Sequence, residues 1–532
     1  IFARRGGFDL IVGNPPWLKV EWNEAGILGE FNPQFAIRKF SATELTKLRD
    51  EAFGKFGGLQ AAWTTELEEA EGTQNFLNAV QNYPLLKGSQ TNLYKCFLPV
   101  AWGLSSERGV TGLLHPEGPY DDPKGGFLRE AIYERLRGHF QFQNEFKLFP
   151  IGNRSKFSIN VYGRKLSSPL FDHIANLYTP TTVDACYRHD GSGVVFGLKL
   201  VSGEWATNGH TARIVRVDDA ALSLFAQIYD EPGTPSRFSR LPALHAQDLT
   251  NVLKKLAAHE QRLAHLGEDY VATEMWHETM QQQDGTMARR SASDNDFPMT
   301  TERLVVSGPH FFIANPLHQT PMKVCETHRA NIKIDLQELP ERYLPRSNFI
   351  PSTDDSEYRK SIPQSKWRDE SSGLTKPVTE FYRHVHRRGI DPSLERTAIP
   401  AIFPPGSAHI GGVFSITFRR VRDLIRWSSG LSSLVMDFLV KSTGKSDLRG
   451  DLSDALPILE WNDKTAARYL VLNCLTTFYA PLWHEVYDLA FTDQSWTQPN
   501  NPRLPREFWQ NLTSTWTRHC ALRSDYARRM AL

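Results

Sequence analysis

Phe8-Asp9-Leu10-Ile11-Val12-Gly13-Asn14-Pro15-Pro16-Trp17 joins an apolar run to an abrupt turn. Residues Phe8 to Val12 are apolar except for Asp9, the pattern of a strand buried on both faces. Gly13 to Pro16 end it, because proline has no N–H for the ladder and fixes its own φ.

Such a turn has a specific chemical use. To methylate an exocyclic amine, a catalyst must localise a nitrogen lone pair that is normally delocalised into the base ring. Two fixed acceptors, the Asn14 carboxamide oxygen and the Pro15 carbonyl, can each take one N–H of the amine and favour a tetrahedral nitrogen. The rigid Pro15-Pro16 pair holds the carbonyl in place, and Trp17 offers a flat face for a base extruded from a duplex. The plainer meaning of Asn-Pro-Pro is a strand-ending turn, and four residues alone do not separate the two.

Outward from this stretch the pattern alternates. Residues 41 to 82 predict a helical insertion that opens on a capping box, Ser41 with Glu44 three residues on. A helix over Leu93 to Leu104 follows, then a strand from Gly109 to His115 closed by Pro116 and Gly118. A helix over 126 to 137 and strands near Phe140 to Leu148 and Phe157 to Tyr162 complete the segment. The predicted class is α/β: a doubly wound sheet with an antiparallel hairpin at one edge.

These blocks resemble the gamma-class N6-adenine DNA methyltransferases of restriction-modification (type IIG-like) or phage-defence systems. The points of likeness are the apolar strand before Asn14-Pro15-Pro16-Trp17, the helix block Asn92-Leu93-Tyr94-Lys95-Cys96-Phe97, the strand Val110-Thr111-Gly112-Leu113-Leu114-His115 ending in Pro116, and the pair Phe149-Pro150. They cover the first 165 residues. The resemblance implies the C-terminal part of a Rossmann-like methyltransferase sheet, S-adenosylmethionine as cofactor and double-stranded DNA as partner. It implies further that Phe149 opposes Trp17 across a flipped adenine and that Phe97 packs near the adenine ring of the cofactor. For Phe97 the alternative is plain core packing with Leu93 and Leu104 at helical spacing. In the family a Gly-rich cofactor loop precedes the catalytic motif; none follows it here, so the chain is expected to hold only the base-chemistry half of the core. The long spacing from Trp17 to Asn92 marks an insertion over about 18 to 90.

Beyond residue 165 the rhythm changes. Strand-like pieces at 193 to 201 and 211 to 217 precede a stripe of Leu249, Val252, Leu253, Leu256 and Leu263. Residues 281 to 302, rich in Gln, Ser, Asp and Asn, predict a mobile linker. Leu431, Leu434, Val435, Phe438 and Leu439 share one face of a predicted helix. Residues 300 to 532 resemble the target-recognition regions of methylases that share a chain with a nuclease, through Ser307-Gly308-Pro309, the block Arg396 to Ile402 with Pro404-Pro405-Gly406, and Ser442 to Pro457. The implied domains are 1–165 for catalysis, 166–299 connecting, and a mixed α/β and helical reader over 300–532.

The 532 residues carry 61 Lys and Arg against 60 Asp and Glu, a net charge of +1, so any DNA contact must come from a local basic surface. Clusters at His384, His386, Arg387, Arg388 and at Arg419, Arg420, Arg422 are candidates, with Arg387 and Arg388 assigned to phosphates. A solvated face is the commoner meaning of such runs. Cys96, Cys186, Cys325, Cys474 and Cys520 form no C-x-x-C pair and are expected to be buried thiols. Asn315-Pro316-Leu317-His318 lacks the second proline and the aromatic, and predicts a turn. His484, Glu485 and Asp488 miss metalloprotease spacing, so no metal is expected. With no apolar run of membrane length and no signal peptide, a cytoplasmic protein is expected, with a fused or associated nuclease or defence subunit. Two other functions remain open: transfer to protein glutamine, whose enzymes also carry Asn-Pro-Pro with an aromatic, and a catalytically silent DNA-specificity module.

Overall fold

The structure, a computed structural model, describes residues 6–38, 40, 42–89, 91–153, 155–290, 296–324, 330–352, 355–391 and 394–532. Ser41 of the expected capping box, Cys325 and part of the expected linker lie outside them. The chain forms two units, Ile1–Ala257 and Ala258–Leu532, each mixing helices with strands. Among the described residues no helix is long and apolar enough to cross a membrane.

In the first unit β1 (Phe8–Gly13), β2 (Ser105–Pro116), β3 (Leu136–Gln143), β4 (Lys156–Tyr162), β5 (Leu170–Leu177) and β6 (Val215–Asp218) form one mixed sheet in the order β1-β2-β4-β3-β5-β6. β1 and β2 are parallel, with Gly13 opposite Leu113. β4 is antiparallel to both β2 and β3, β3 is parallel to β5, and β5 is antiparallel to β6. β1, β2 and β3 therefore point the same way, and their carboxyl ends open onto one edge of the sheet. In open α/β sheets that edge is where ligands are bound.

Several expectations are corrected. The hairpin of β3 and β4 lies inside the sheet, because β5 and β6 continue it past residue 165. β1 is not buried: Phe8, Leu10 and Val12 are 52%, 65% and 76% exposed. It is an edge strand that pairs only with β2 among the described residues. The helix expected to 137 ends at Tyr133, and β3 ends at Gln143, where Asn144–Phe146 turn and Lys147 adopts φ 51°. Residues 193 to 201 form no strand; Leu198 and Leu200 bond back to Ala206 and Glu204 in a local turn.

The insertion holds helices Glu24–Phe31, Gln34–Ile37, Ala42–Lys55 and Leu59–Asn78 rather than one long pattern. Gly58, at φ 82°, breaks the last two apart, a left-handed conformation glycine adopts without strain. Leu28, Phe35, Ala52 and Leu59 give the insertion its own small core, ringed by Phe53, Phe56 and Trp63.

The second unit centres on a four-stranded antiparallel sheet of Pro400–Phe403, Arg383–Arg387, Val413–Phe418 and Tyr270–Thr273, in that order. Every residue of Val413–Phe418 is buried, as a central strand covered on both faces requires. The predicted helix through Leu431 to Leu439 is two helices, Val421–Ser432 and Leu434–Ser442, with the Ser433 hydroxyl capping the second at the Met436 N–H. The break turns the predicted stripe: Leu434 and Val435 are exposed, while Met436 and Val440 are buried. Leu263 likewise lies outside the helix Leu249–Ala257. Within the expected linker, Met287–Arg289 pairs with Phe349–Pro351.

Candidate functional site

The turn after β1 delivers its residues to the carboxyl edge. Asn14 is exposed and Pro15 buried. Among the described residues neither the Asn14 amide nor the Pro15 carbonyl has a hydrogen-bond partner, so both keep their acceptor capacity. Trp17 is half-buried, and its indole N–H donates to the Leu114 carbonyl of β2 at 3.4 Å. That bond and the Leu93 N–H to Leu18 carbonyl bond at 3.0 Å tie the turn to β2 and to the start of the helix Leu93–Leu104.

Phe149 arrives from the loop after β3. Its ring centroid is 5.7 Å from that of Trp17 at 53°, and both rings pack on Phe157 of β4, at 5.0 and 5.8 Å. Phe142 stacks beneath Phe157 at 5.5 Å and 11°. The aromatic pair expected from the sequence is thus brought together, but in direct contact. A planar base held between two faces needs ring planes about 7 Å apart, twice a contact distance of about 3.5 Å.

Asn144 holds this loop. It is fully buried; its Oδ1 accepts the Phe149 N–H at 3.1 Å, and its Nδ2 donates to the carbonyls of Phe149, Ile151 and Gly152 at 2.9, 3.0 and 3.4 Å. Nothing in the sequence marked it, since Gln143-Asn144-Glu145 has the composition of a solvated turn.

The opposite face of the same strands carries a buried polar layer. Gln141 donates to Glu117 Oε2 at 2.7 Å, His139 Nε2 lies 3.3 Å from Glu117 Oε1, and His139 Nδ1 lies 2.8 Å from His173 Nδ1. The Pro242 carbonyl, 3.1 Å from His173 Nε2, can only accept. His173 therefore donates there and accepts from His139 Nδ1, which leaves His139 Nε2 facing the Glu117 carboxylate. Burial raises the Glu117 carboxyl, but the His139 charge with hydrogen bonds from His139, Ser158 and Gln141 outweighs it and brings it down to about 2. Burial pushes His173 down to about 3 and His115 down to about 4.

The other expected site residues fall elsewhere. Phe97 is 46% exposed, on the outward face of its helix with Val100 and Leu104, while Tyr94, Cys96, Leu98 and Ala101 face inward. It is therefore not core, as the spacing with Leu93 and Leu104 suggested. Arg387 donates to the carbonyls of Gly308 and Phe311, both at 2.8 Å, and so acts as a strut. Arg388 pairs with Glu274 at 3.1 Å and Asp447 at 3.6 Å. His384 and His386 are fully buried and hydrogen-bonded to each other at 3.0 Å. Asn315 forms a turn, its Oδ1 accepting the Leu317 N–H. Cys96, Cys186, Cys474 and Cys520 are buried free thiols. Among the described residues no group of three or more His, Cys, Asp or Glu could hold a metal ion.

No protein-family model and no curated protein matches the chain. Among solved structures it is similar to the type IIG restriction endonuclease BpuSI, at 11% identity and a TM-score of 0.25, over 80% of this chain and 49% of that one. It is also similar to the Type IIL restriction-modification enzyme MmeI in complex with DNA, at 10% identity and a TM-score of 0.36, over 86% of this chain and 51% of that one. A nuclease-deletion mutant of the Type ISP restriction-modification enzyme LlaGI, in complex with a DNA substrate mimic, matches at 11% identity and a TM-score of 0.32, over 87% and 44%. The chain spans about half the length of these enzymes or less.

Proposed function

We propose that the chain carries the base-chemistry half of a DNA N6-adenine methyltransferase, part of a restriction-modification or phage-defence protein. The observation that supports this reading is the pairing of two unspent acceptors, the Asn14 amide and the Pro15 carbonyl, with Trp17 at the carboxyl edge of a mixed sheet. A strand-ending turn needs neither acceptor left open nor an aromatic anchored beside it.

In the proposed reaction the adenine leaves the duplex and stacks at Trp17. Its exocyclic amine donates one N–H to Asn14 Oδ1 and one to the Pro15 carbonyl, which draws the nitrogen toward tetrahedral geometry. The lone pair attacks the methyl carbon as the sulfur–methyl bond breaks, and the methylated nitrogen then loses its extra proton. No carboxylate base is needed, because the nitrogen becomes acidic only once methylated. Glu117, on the other face and engaged with His139, takes no part.

S-adenosylmethionine would supply the electrophilic methyl group. Phe97 presents an exposed ring that fits an adenine face, and among the described residues no G-x-G-x-x-G loop follows a strand, so cofactor binding by these residues alone is expected to be weak. The second unit is proposed to read the DNA sequence, because a core that holds one flipped adenine cannot see neighbouring base pairs. The test is mass spectrometry of duplex DNA treated with the full-length enzyme and S-adenosylmethionine. N6-methyladenine at a defined site supports the proposal; methylated protein glutamine with unmodified DNA overturns it.

A further inference from the structure

We propose that Asn144 is the positioning residue of the Phe149 wall, and that a base enters by turning the Phe149 ring rather than by moving its loop. This rests on the function proposed above.

An asparagine amide has two N–H donors and one carbonyl oxygen. Here both donors and the acceptor are spent on one short stretch of main chain, from Phe149 to Gly152. The Asn144 backbone N–H adds a bond to the Ser155 carbonyl at 3.1 Å. Main chain on both sides of the Phe149 side chain is thereby fastened to the end of β3. Shifting the loop would strand a buried amide, which is costly.

The ring is under no such restraint. It is half-buried and touches Trp17 and Phe157 through apolar contacts alone. Since the 5.7 Å contact with Trp17 leaves no slot for a base, space must be made, and rotation about the side-chain torsions of Phe149 makes it without breaking a hydrogen bond. Trp17 cannot yield as freely, because its indole N–H is bonded to Leu114. Only an amide suits position 144. An aspartate keeps the size but offers no N–H and sets a charge against three carbonyls.

The test uses the full-length enzyme on a duplex with 2-aminopurine at the target adenine, in four forms: wild type, Asn144→Asp, Phe149→Ala and the double variant. Asn144→Asp is expected to lower the flipped-base signal and kcat by about tenfold to a hundredfold, with KM for DNA changed less than about threefold. In the Phe149→Ala background the same change is expected to cost less than about twofold. Equal losses in both backgrounds overturn the proposal, since Asn144 would then act on the sheet at large.

Hydrogen exchange gives a readout independent of activity. The Phe149 amide is expected to be protected in wild type, to stay protected when DNA binds, and to lose protection in Asn144→Ala, which removes the Oδ1 acceptor, while β4 amides keep theirs. Protection lost on DNA binding means that the loop moves, and protection unchanged by Asn144→Ala means that there is no clamp; either overturns the proposal. If exchange behaves as expected but wild type neither flips nor methylates adenine, the proposed function has failed, and the role of the clamp in base entry falls with it.

Discussion

Replacing Asn14 by alanine separates a catalytic acceptor from a structural turn. The side chain is exposed and has no hydrogen-bond partner among the described residues, so its loss removes no packing and strands no buried group. Surface changes of that kind fall within about 0.5 kcal/mol of neutral, and the melting temperature is expected to hold within about 2 °C. The transition state, in contrast, loses one of two acceptors on the developing ammonium. Removing a single preorganised partner of this type costs about 3 to 4 kcal/mol, or about a hundredfold to a thousandfold in kcat. The substrate amine is neutral before attack, so KM for DNA is expected to change little. The assay is transfer of labelled methyl groups to duplex DNA by full-length enzyme, with calorimetry on the same preparations. Near-normal turnover would refute the catalytic role of Asn14, and a large drop in melting temperature would return the motif to a strand-ending turn.

Trp17→Ala and Phe149→Ala are each expected to weaken base capture by about 1 to 3 kcal/mol, less at a mismatched target already unstacked; equal 2-aminopurine signals in all forms would leave these rings as packing for Phe157. Arg387→Ala is expected to destabilise the second unit by about 2 kcal/mol, because two part-buried carbonyls lose their donor, and to leave the salt slope of DNA binding unchanged within about 0.3 unit. Unchanged stability with a slope shallower by about one unit would restore Arg387 as a phosphate contact. Stability is expected to fall on acidification. His115, His173 and Glu117 lie at about 4, 3 and 2 in the folded state, below their usual 6.5, 6.5 and 4.5, so the unfolded chain takes up protons first. Loss begins as pH falls through about 6.5 and reaches on the order of 2 kcal/mol per histidine near pH 5, with the glutamate adding below about 4.5. The second unit follows the same sign through His386 and His409, at about 4 and 3. A melting temperature that is flat or rising from pH 7 to pH 4.5 contradicts this.

What the sequence discloses depends on whether the cause is local. The turn at Asn14-Pro15-Pro16 is legible because proline acts on its own backbone and its neighbour's. The exposure of β1 is not, because Phe8 to Val12 records apolarity without saying which strands flank it. The two helices around Ser433 fall between these cases. Leu431, Leu434, Val435, Phe438 and Leu439 satisfy one helical period, but a serine hydroxyl capping Met436 resets the phase, and a cap that interrupts an apolar stripe leaves no mark in the spacing. Phe149 was found only through the resemblance to a family order, since no period links it to Trp17. Asn144 could not be found at all, because its meaning lies in being buried.

The basic residues of the second unit show the same limit most clearly. Counting Arg and His along the chain treats each as a surface cation. Yet Arg383 is fully buried, donating to the Ser407 carbonyl and Met275 sulfur, and Arg528 spans the carbonyls of Leu522, Ala314 and Leu472 at 2.7 to 3.0 Å. Arg387 does likewise on a smaller scale. A planar guanidinium with five donors can satisfy several carbonyls where segments meet, a task that the single point charge of lysine does poorly. Arginines spent in this way cannot neutralise phosphates. In the second predicted cluster Arg419 and Arg420 already face Asp269 at 3.4 and 3.6 Å, and Arg422 lies over the Trp461 ring at 4.3 Å. The two clusters read from the sequence therefore overstate what they can offer a DNA backbone. If the second unit reads DNA as proposed, its phosphate contacts must draw on exposed cations outside these engaged arginines.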